Sequence, residues 1–156
     1  MALAGIASGS ISIKRDVSLE CPGGDMALAC SNGGMTVDIA QNSRLKLGKN
    51  TTFALAYGNA TGASISMVDQ TSVLHFDGCT FYTSADLANS LPNVTPLLLT
   101  KGTVLFENQV RIFNRYYGQP AVNTDMSKAF TLGSGVNARV LGDAYLTVDG
   151  CMAYTP

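Results

Sequence analysis

Three acidic residues stand where a pair of carboxyl groups could perform acid–base chemistry. Asp77, Glu107 and Asp143 each fall in a polar break between two short apolar segments. Cleavage of a glycosidic bond needs two carboxyl groups about 5–9.5 Å apart across the sugar. If the segments pair as adjacent strands about 4.8 Å apart, the three acids line one edge of a sheet. Acidic residues also favour corners for conformational reasons alone, so a purely structural interpretation stays open.

Other catalytic and metal-binding patterns are missing from the sequence. The single histidine, His75, lies within a strand-like segment, and no Gly-x-Ser-x-Gly stretch provides a nucleophile elbow. The glycine-rich stretches lack the Gly-Lys-Ser/Thr of a phosphate-binding loop. Four cysteines without a Cys-x-x-Cys pair do not match the spacing of zinc ligands. We therefore expect a protein that is not an enzyme and that carries no cofactor and no metal.

The cysteines are expected to be buried free thiols, because cysteine packs as a small hydrophobic side chain. The alternative is a Cys21–Cys30 disulfide that closes the glycine-rich loop between them, and it requires an oxidising compartment. The other two, Cys79 and Cys151, each follow an Asp-Gly pair.

One aromatic and basic cluster is a candidate contact surface. Tyrosine and arginine are enriched at the residues that dominate binding energy in interfaces. The cluster is formed by Phe113, Arg115, Tyr116 and Tyr117.

The N-terminal segment, residues 1–13, has the composition of an extended arm. It is rich in Gly, Ala and Ser, and an extended segment can add a strand to a neighbouring sheet through main-chain hydrogen bonds. Its candidate assembly residues are Leu3, Ile6, Ile11 and Ile13. Residues 14–156 are expected to form a single β domain, since this length suits one core.

The charge content excludes some classes of partner and favours another. Charged residues make up 13% of the 156-residue chain and the net charge is −1, so no basic surface is available for a nucleic acid. No apolar run reaches the roughly 18 residues of a membrane helix, and no signal peptide is evident. A weakly charged surface promotes association. The favoured partner is therefore another copy of the chain or a larger particle.

Alternation of apolar and polar residues predicts an all-β fold. Examples are Ile11–Leu19, Met35–Ile39 and Leu45–Leu47, and a period of two is typical of strands. Clusters of Gly, Asn and Asp separate these runs and are typical of turns.

A unit of strand, polar break and strand recurs five times. The copies are Ile11–Leu19, Leu45–Phe53, Val73–Phe81, Val104–Ile112 and Val140–Val148. Their starts are separated by 34, 28, 31 and 36 residues, which is within the range of solenoid repeats. Breaks such as Asp77-Gly78 and Glu107-Asn108 can turn the chain sharply. The pattern favours a right-handed parallel β-helix, with a jelly roll or other β-sandwich as the alternative.

Paired short strands with Asn, Asp or Gly corners, such as Thr103–Phe113, resemble the rungs of right-handed β-helices in viral tailspikes and related surface proteins. The resemblance implies an elongated, self-associating component of a virion or an extracellular surface, and it transfers no catalytic residue.

We therefore expect a non-enzymatic structural protein that assembles with itself or decorates a larger particle, such as a virion capsid or tail or an extracellular fibre. The alternative is a β-helix that binds or cleaves carbohydrate through Asp77, Glu107 and Asp143.

Overall fold

In the computed structural model, the structure describes residues 9–28, 35–55, 64–82, 97–113, 130–149 and 152–154. These residues form strands joined by turns, which confirms the all-β prediction. No helix able to span a lipid bilayer occurs among them. The strands are β1 Gly9–Ile13, β2 Val17–Leu19, β3 Asp25–Ala27, β4 Met35–Ile39, β5 Arg44–Leu47, β6 Thr52–Ala54, β7 Ser64–Met67, β8 Val73–Asp77, β9 Thr80–Tyr82, β10 Leu97–Glu107, β11 Gln109–Phe113, β12 Phe130–Val140, β13 Tyr145–Asp149 and β14 Met152–Tyr154.

The strands form three parallel sheets. Their orders are β1-β4-β7, β14-β12-β10-β8-β5-β2 and β13-β11-β9-β6-β3. Each pairing within the described ranges is parallel. Parallel neighbours need a long crossover connection, and here each crossover contributes at least one strand to another sheet. Jelly rolls and sandwiches are built from antiparallel strands, so that alternative is wrong for the described part of the chain.

Four of the five sequence copies end at the same register position in the five-stranded sheet. Phe53 pairs with Phe81, Phe81 with Ile112, and Ile112 with Val148. The prediction for the first copy is wrong. Its last residue, Leu19, pairs with Leu47 of β5, and the residue opposite Phe53 is Met26. The intervals at this position are therefore 27, 28, 31 and 36 residues.

A left-handed residue occurs in every described corner between the six-stranded and five-stranded sheets. These residues are Gly23, Asn50, Gly78, Asn108 and Gly142, with φ between 55° and 75°. Glycine pays no Cβ penalty in this conformation, and asparagine tolerates it better than most residues. The corners are also joined to one another, since the Asn50 amide donates to the Gly78 carbonyl and the Gly78 amide donates to the Glu107 carbonyl. The sharp turns predicted at Asp77-Gly78 and Glu107-Asn108 are confirmed.

Aromatic and aliphatic side chains stack in register to form the core. Phe76 is fully buried, and its ring lies parallel to that of Phe106 with centroids 5.5 Å apart. The ring of Phe81 meets Phe76 edge-on at 5.2 Å, across the corner between β8 and β9. Leu47 is the register partner of Phe76 on the other side and is also fully buried. Each strand layer therefore covers the apolar side chains of the next.

Replacing Gly78 with Ala tests whether the corner conformation limits stability. A Cβ at Gly78 would lie 3.2 Å from Lys49 Cγ and 3.4 Å from Asn108 Cβ, in a residue whose φ is +60°. We expect Gly78→Ala to lower the free energy of unfolding by about 1–2 kcal/mol from φ alone, plus a further loss from crowding. Urea denaturation measures the change.

Gly142→Ala is the matched control, because its φ is +55° and nothing lies within 4 Å of the added Cβ. Gly142→Ala should lower the free energy of unfolding only by the conformational cost of a left-handed alanine. Equal losses in the two variants would contradict the role assigned to corner packing at Gly78.

Candidate functional site

A cluster of polar side chains lies on the outer face of the six-stranded sheet. Side chains alternate between the two faces of a strand, so His75 and Asp77 point away from the core that Leu74 and Phe76 line. Lys46 on β5 is the register partner of His75, and Glu107 on β10 is the register partner of Asp77. Three neighbouring strands thus bring four ionisable side chains together.

Asp77 is held by two partners although it is almost fully buried. Lys46 Nζ lies 2.5 Å from Asp77 Oδ2, and Asn108 Nδ2 donates a hydrogen bond of 2.6 Å to Asp77 Oδ1. The side chain of Asp77 is 2% exposed, whereas that of Lys46 is 30% exposed. Burial by itself raises the pKa of Asp77, but the hydrogen bonds from Lys46 and Asn108, together with the positive charges of Lys46 and Lys49, outweigh it and the pKa is lowered. The pKa of Lys46 is raised, chiefly by its hydrogen bond to Asp77.

His75 is buried beside this ion pair without a hydrogen-bond partner of its own. The residue is 4% exposed, and neither ring nitrogen makes a hydrogen bond with the described residues. Nε2 lies 3.1 Å from Glu107 Oε2, so the two groups are close but not aligned for a hydrogen bond. Burial lowers the pKa of His75, and the nearby Glu107 carboxylate offsets part of that effect. The imidazole is therefore neutral at pH 7.

The acidic edge predicted from the sequence is only partly assembled. Asp77 and Glu107 are register partners. Asp143 does not continue this row, because Val140 pairs with Phe106 and Leu141 donates its amide to the Phe106 carbonyl. Leu141 thus stands opposite Glu107, and Asp143 lies two residues further on, exposed in the turn before β13. Since both oxygens of Asp77 are already engaged, Glu107, with a side chain 42% exposed, is the one of the two register partners that can meet a solute.

The described part of the predicted arm is a strand of the domain. Ile11 and Ile13 lie in β1 and pair with Val37 and Ile39 of β4. Ile13 is 6% exposed and belongs to the core. Any arm that reaches a neighbour would therefore have to come from residues before Gly9, and Leu3 and Ile6 lie outside the described residues.

Of the four residues of the aromatic and basic cluster, the structure describes Phe113. Phe113 ends β11, and its ring packs against Tyr82 with centroids 5.1 Å apart. Arg115, Tyr116 and Tyr117 lie outside the described residues, so the predicted contact surface stays a prediction.

The cysteines that the structure describes carry free thiols. Cys79 is 2% exposed, and burial raises the pKa of its thiol to about 12. Cys21 is half-buried and packs against the core. Cys30 and Cys151 lie outside the described residues. At pH 7 the Cys79 thiol is protonated and is a poor nucleophile.

Sequence reasoning missed Lys46 and Asn108, the two partners of Asp77. Asn108 directly follows Glu107 in a polar break, so the sequence predicts its place at a corner. The sequence does not predict its hydrogen bond to Asp77, which lies at the preceding corner. The sequence did not predict the place of Lys46, because the corner between β5 and β6 is one residue longer than that between β8 and β9. Aligning the repeat copies by their ends therefore does not place Lys46 opposite His75. Within the described ranges, no group of three or more His, Cys, Asp or Glu side chains could hold a metal ion.

Comparison with protein-family models, curated proteins and solved structures gave no match. The geometry of the chain itself therefore carries the functional interpretation.

Removing the charge of Asp77 should destabilise the protein. Asp77→Asn leaves Lys46 beside a neutral amide, and loss of one partner of a buried pair costs about 3–5 kcal/mol. We expect about 2 kcal/mol here, because Lys46 is 30% exposed and can reach water. The measurement is urea unfolding at pH 7, with the exposed Asp143→Asn as the control for loss of one negative charge.

The effect of Asp77→Asn should depend on pH in one direction. The folded-state pKa of Asp77 is lowered, so its contribution is present above the usual value of 3.8 and is lost as the pH falls through the lower folded-state value. The two proteins should therefore converge in stability at low pH. A difference that grows on acidification would contradict this assignment.

Proposed function

We propose that the chain is a right-handed parallel β-helix and acts as a non-enzymatic structural subunit that associates with copies of itself or with a larger particle. The observation that carries this proposal is a column of five residues in successive strands of the six-stranded sheet. The column consists of Leu19, Leu47, Phe76, Phe106 and Val140. A solenoid builds its core by such stacking, and its terminal layers are covered by a cap or by a partner.

The C-terminal end of the column supports association. Phe106 is 2% exposed, whereas its register partner Val140, which faces the same side, is 54% exposed. Among the described strands, β14 pairs only with Phe130–Leu132 of β12, and β13 is the last strand of its sheet. Tyr145, at the start of β13, is 67% exposed. An apolar surface beside two unpaired strand edges is typical of a site that pairs with another chain.

The occupant we propose for this edge is a second copy, related by a two-fold axis. Arg139 and Asp143 are both exposed and stand on either side of Val140 in the sequence. In a two-fold contact each surface meets itself, so Arg139 of one copy can face Asp143 of the other, and the reverse. The edge is thus complementary to itself in charge, while Val140 and Tyr145 supply the apolar area. The resemblance to tailspike rungs supports a virion or extracellular surface as the setting.

Solution mass is the direct test of association. Light scattering after size exclusion, with negative-stain images of the same fraction, should give particles of two or more copies of the 16.3 kDa chain. Val140→Lys should shift the population towards monomer. Leu98→Lys is the matched control, since Leu98 is 52% exposed and lies away from the column. A monomer at every accessible concentration would overturn the proposal.

A charge reversal tests the two-fold arrangement itself. Arg139→Asp alone and Asp143→Arg alone should each weaken association by placing like charges opposite each other. The double variant should restore it, because the exchanged charges are again complementary. Association without rescue by the double variant would place the contact elsewhere on the chain.

Carbohydrate binding or cleavage is a second function with narrower support. Its favouring observation is that Asp77 and Glu107 are register partners on adjacent strands. The partners already bound to Asp77 weigh against cleavage, because a general acid or base must be within hydrogen-bond reach of the substrate.

A reducing-sugar assay and a glycan array on the wild type and on the Asp77→Asn, Glu107→Gln double variant examine this function. We expect no signal from either protein. Turnover by the wild type that disappears in the variant would replace the structural function with a carbohydrate-directed one.

A further inference from the structure

His75 is the unusual member of the outer-face cluster. A buried polar side chain normally has a hydrogen-bond partner, because an unpaired group bears the cost of lost hydration. Both ring nitrogens of His75 lack one among the described residues, although the residue is only 4% exposed. By comparison, each carboxylate oxygen of the neighbouring Asp77 has a partner. Such an orphaned imidazole, held close to a carboxylate, calls for an explanation beyond packing.

Charged groups of both signs face His75 from the strands around it. Arg44 and Lys46 approach from β5, Asp77 lies two residues ahead on β8, and Glu107 approaches from β10. Glu107 is the only one of these groups whose contact with the ring is a short one, 3.1 Å. A proton on His75 would be attracted by Glu107 and Asp77 and opposed by Arg44, Lys46 and the loss of hydration.

We propose that His75 is an acid-sensitive switch in the middle of the six-stranded sheet. With the ring neutral, the outer face is closed and β8 keeps its register with β5 and β10. Uptake of a proton places a charge in a buried position, and the imidazolium is accommodated only if the ring moves towards water together with the exposed carboxylate of Glu107. Acidification thereby loosens the outer face of β8 and β10 first. The switch acts within one chain, so it does not depend on the proposed self-association.

The sign of the pH dependence follows from the direction of the His75 pKa. Because burial lowers that pKa, the unfolded chain binds the proton more readily than the folded chain. The stability contribution of neutral His75 is full above the unfolded value of 6.5 and is lost as the pH falls through the lower folded-state value. Histidine is the side chain that ordinarily titrates in this window, and the sequence contains one histidine.

Nuclear magnetic resonance on the full chain gives the titration without ambiguity, because a single imidazole produces the signal. The midpoint should lie below 6.5. Unfolding measured from pH 7.5 to pH 5 should show the folding equilibrium constant falling by at most about tenfold per pH unit. Amide hydrogen exchange, corrected for the intrinsic effect of pH, should show protection at β8 and β10 falling before that at β6 and β9.

Two variants that retain His75 test the mechanism from opposite directions. Glu107→Gln removes the carboxylate that favours the charged ring, so the midpoint should move further down. Arg44→Gln removes a positive charge that disfavours it, so the midpoint should move up. His75→Gln should abolish the pH dependence between 7.5 and 5. A wild-type midpoint at or above 6.5, or an unchanged slope in His75→Gln, would overturn the switch. If His75→Gln fails to fold, the wild-type titration and the two retained-histidine variants still decide the question.

Discussion

A single left-handed residue in each corner between the six-stranded and five-stranded sheets is the constraint on which the rest of the structure depends. With φ between 55° and 75° at all five described corners, the chain turns in the same way each time. Strands that leave equivalent corners are parallel and in register, which places Phe76 over Phe106 and Phe53 over Phe81. The core follows from this repetition, because no layer buries its own apolar side chains alone.

The same constraint creates the polar cluster. Asp77 and Glu107 each immediately precede a left-handed residue, Gly78 and Asn108, so both carboxylates leave the sheet at its outer rim. The asparagine at the second corner is then close enough to donate to Asp77. A glycine at position 108 would satisfy the backbone equally well but would leave Asp77 with one partner fewer. Asparagine therefore serves the conformation of its own corner and the electrostatics of the preceding one.

The sequence pattern predicted several strands correctly but only part of the register in which they pair. Alternation predicted β4 and β5. The ends of four repeat copies coincide with paired residues, because the apolar residue after each corner must enter the core. The first copy failed since Ile11–Leu19 alternates equally well across two sheets, β1 and β2, and periodicity does not reveal where a corner falls. The corners also differ in length by one residue, so an alignment of the repeat copies does not place Lys46 opposite His75. Long-range contacts such as Lys46–Asp77 depend on that register and cannot be read from spacing alone.

The two ends of the strand stack differ in a way that bears on association. Edge strands are commonly protected by charged residues, which discourage pairing with other chains. At the N-terminal end, Lys14, Arg15 and Asp16 separate β1 from β2, and all three are exposed. At the C-terminal end, the exposed large apolar side chains are Val140 and Tyr145, with one charge of each sign beside them. Head-to-tail stacking would set the protected end against the unprotected one and would continue without limit. The two-fold contact that we propose would use the Val140 and Tyr145 surface of both copies and would close on itself.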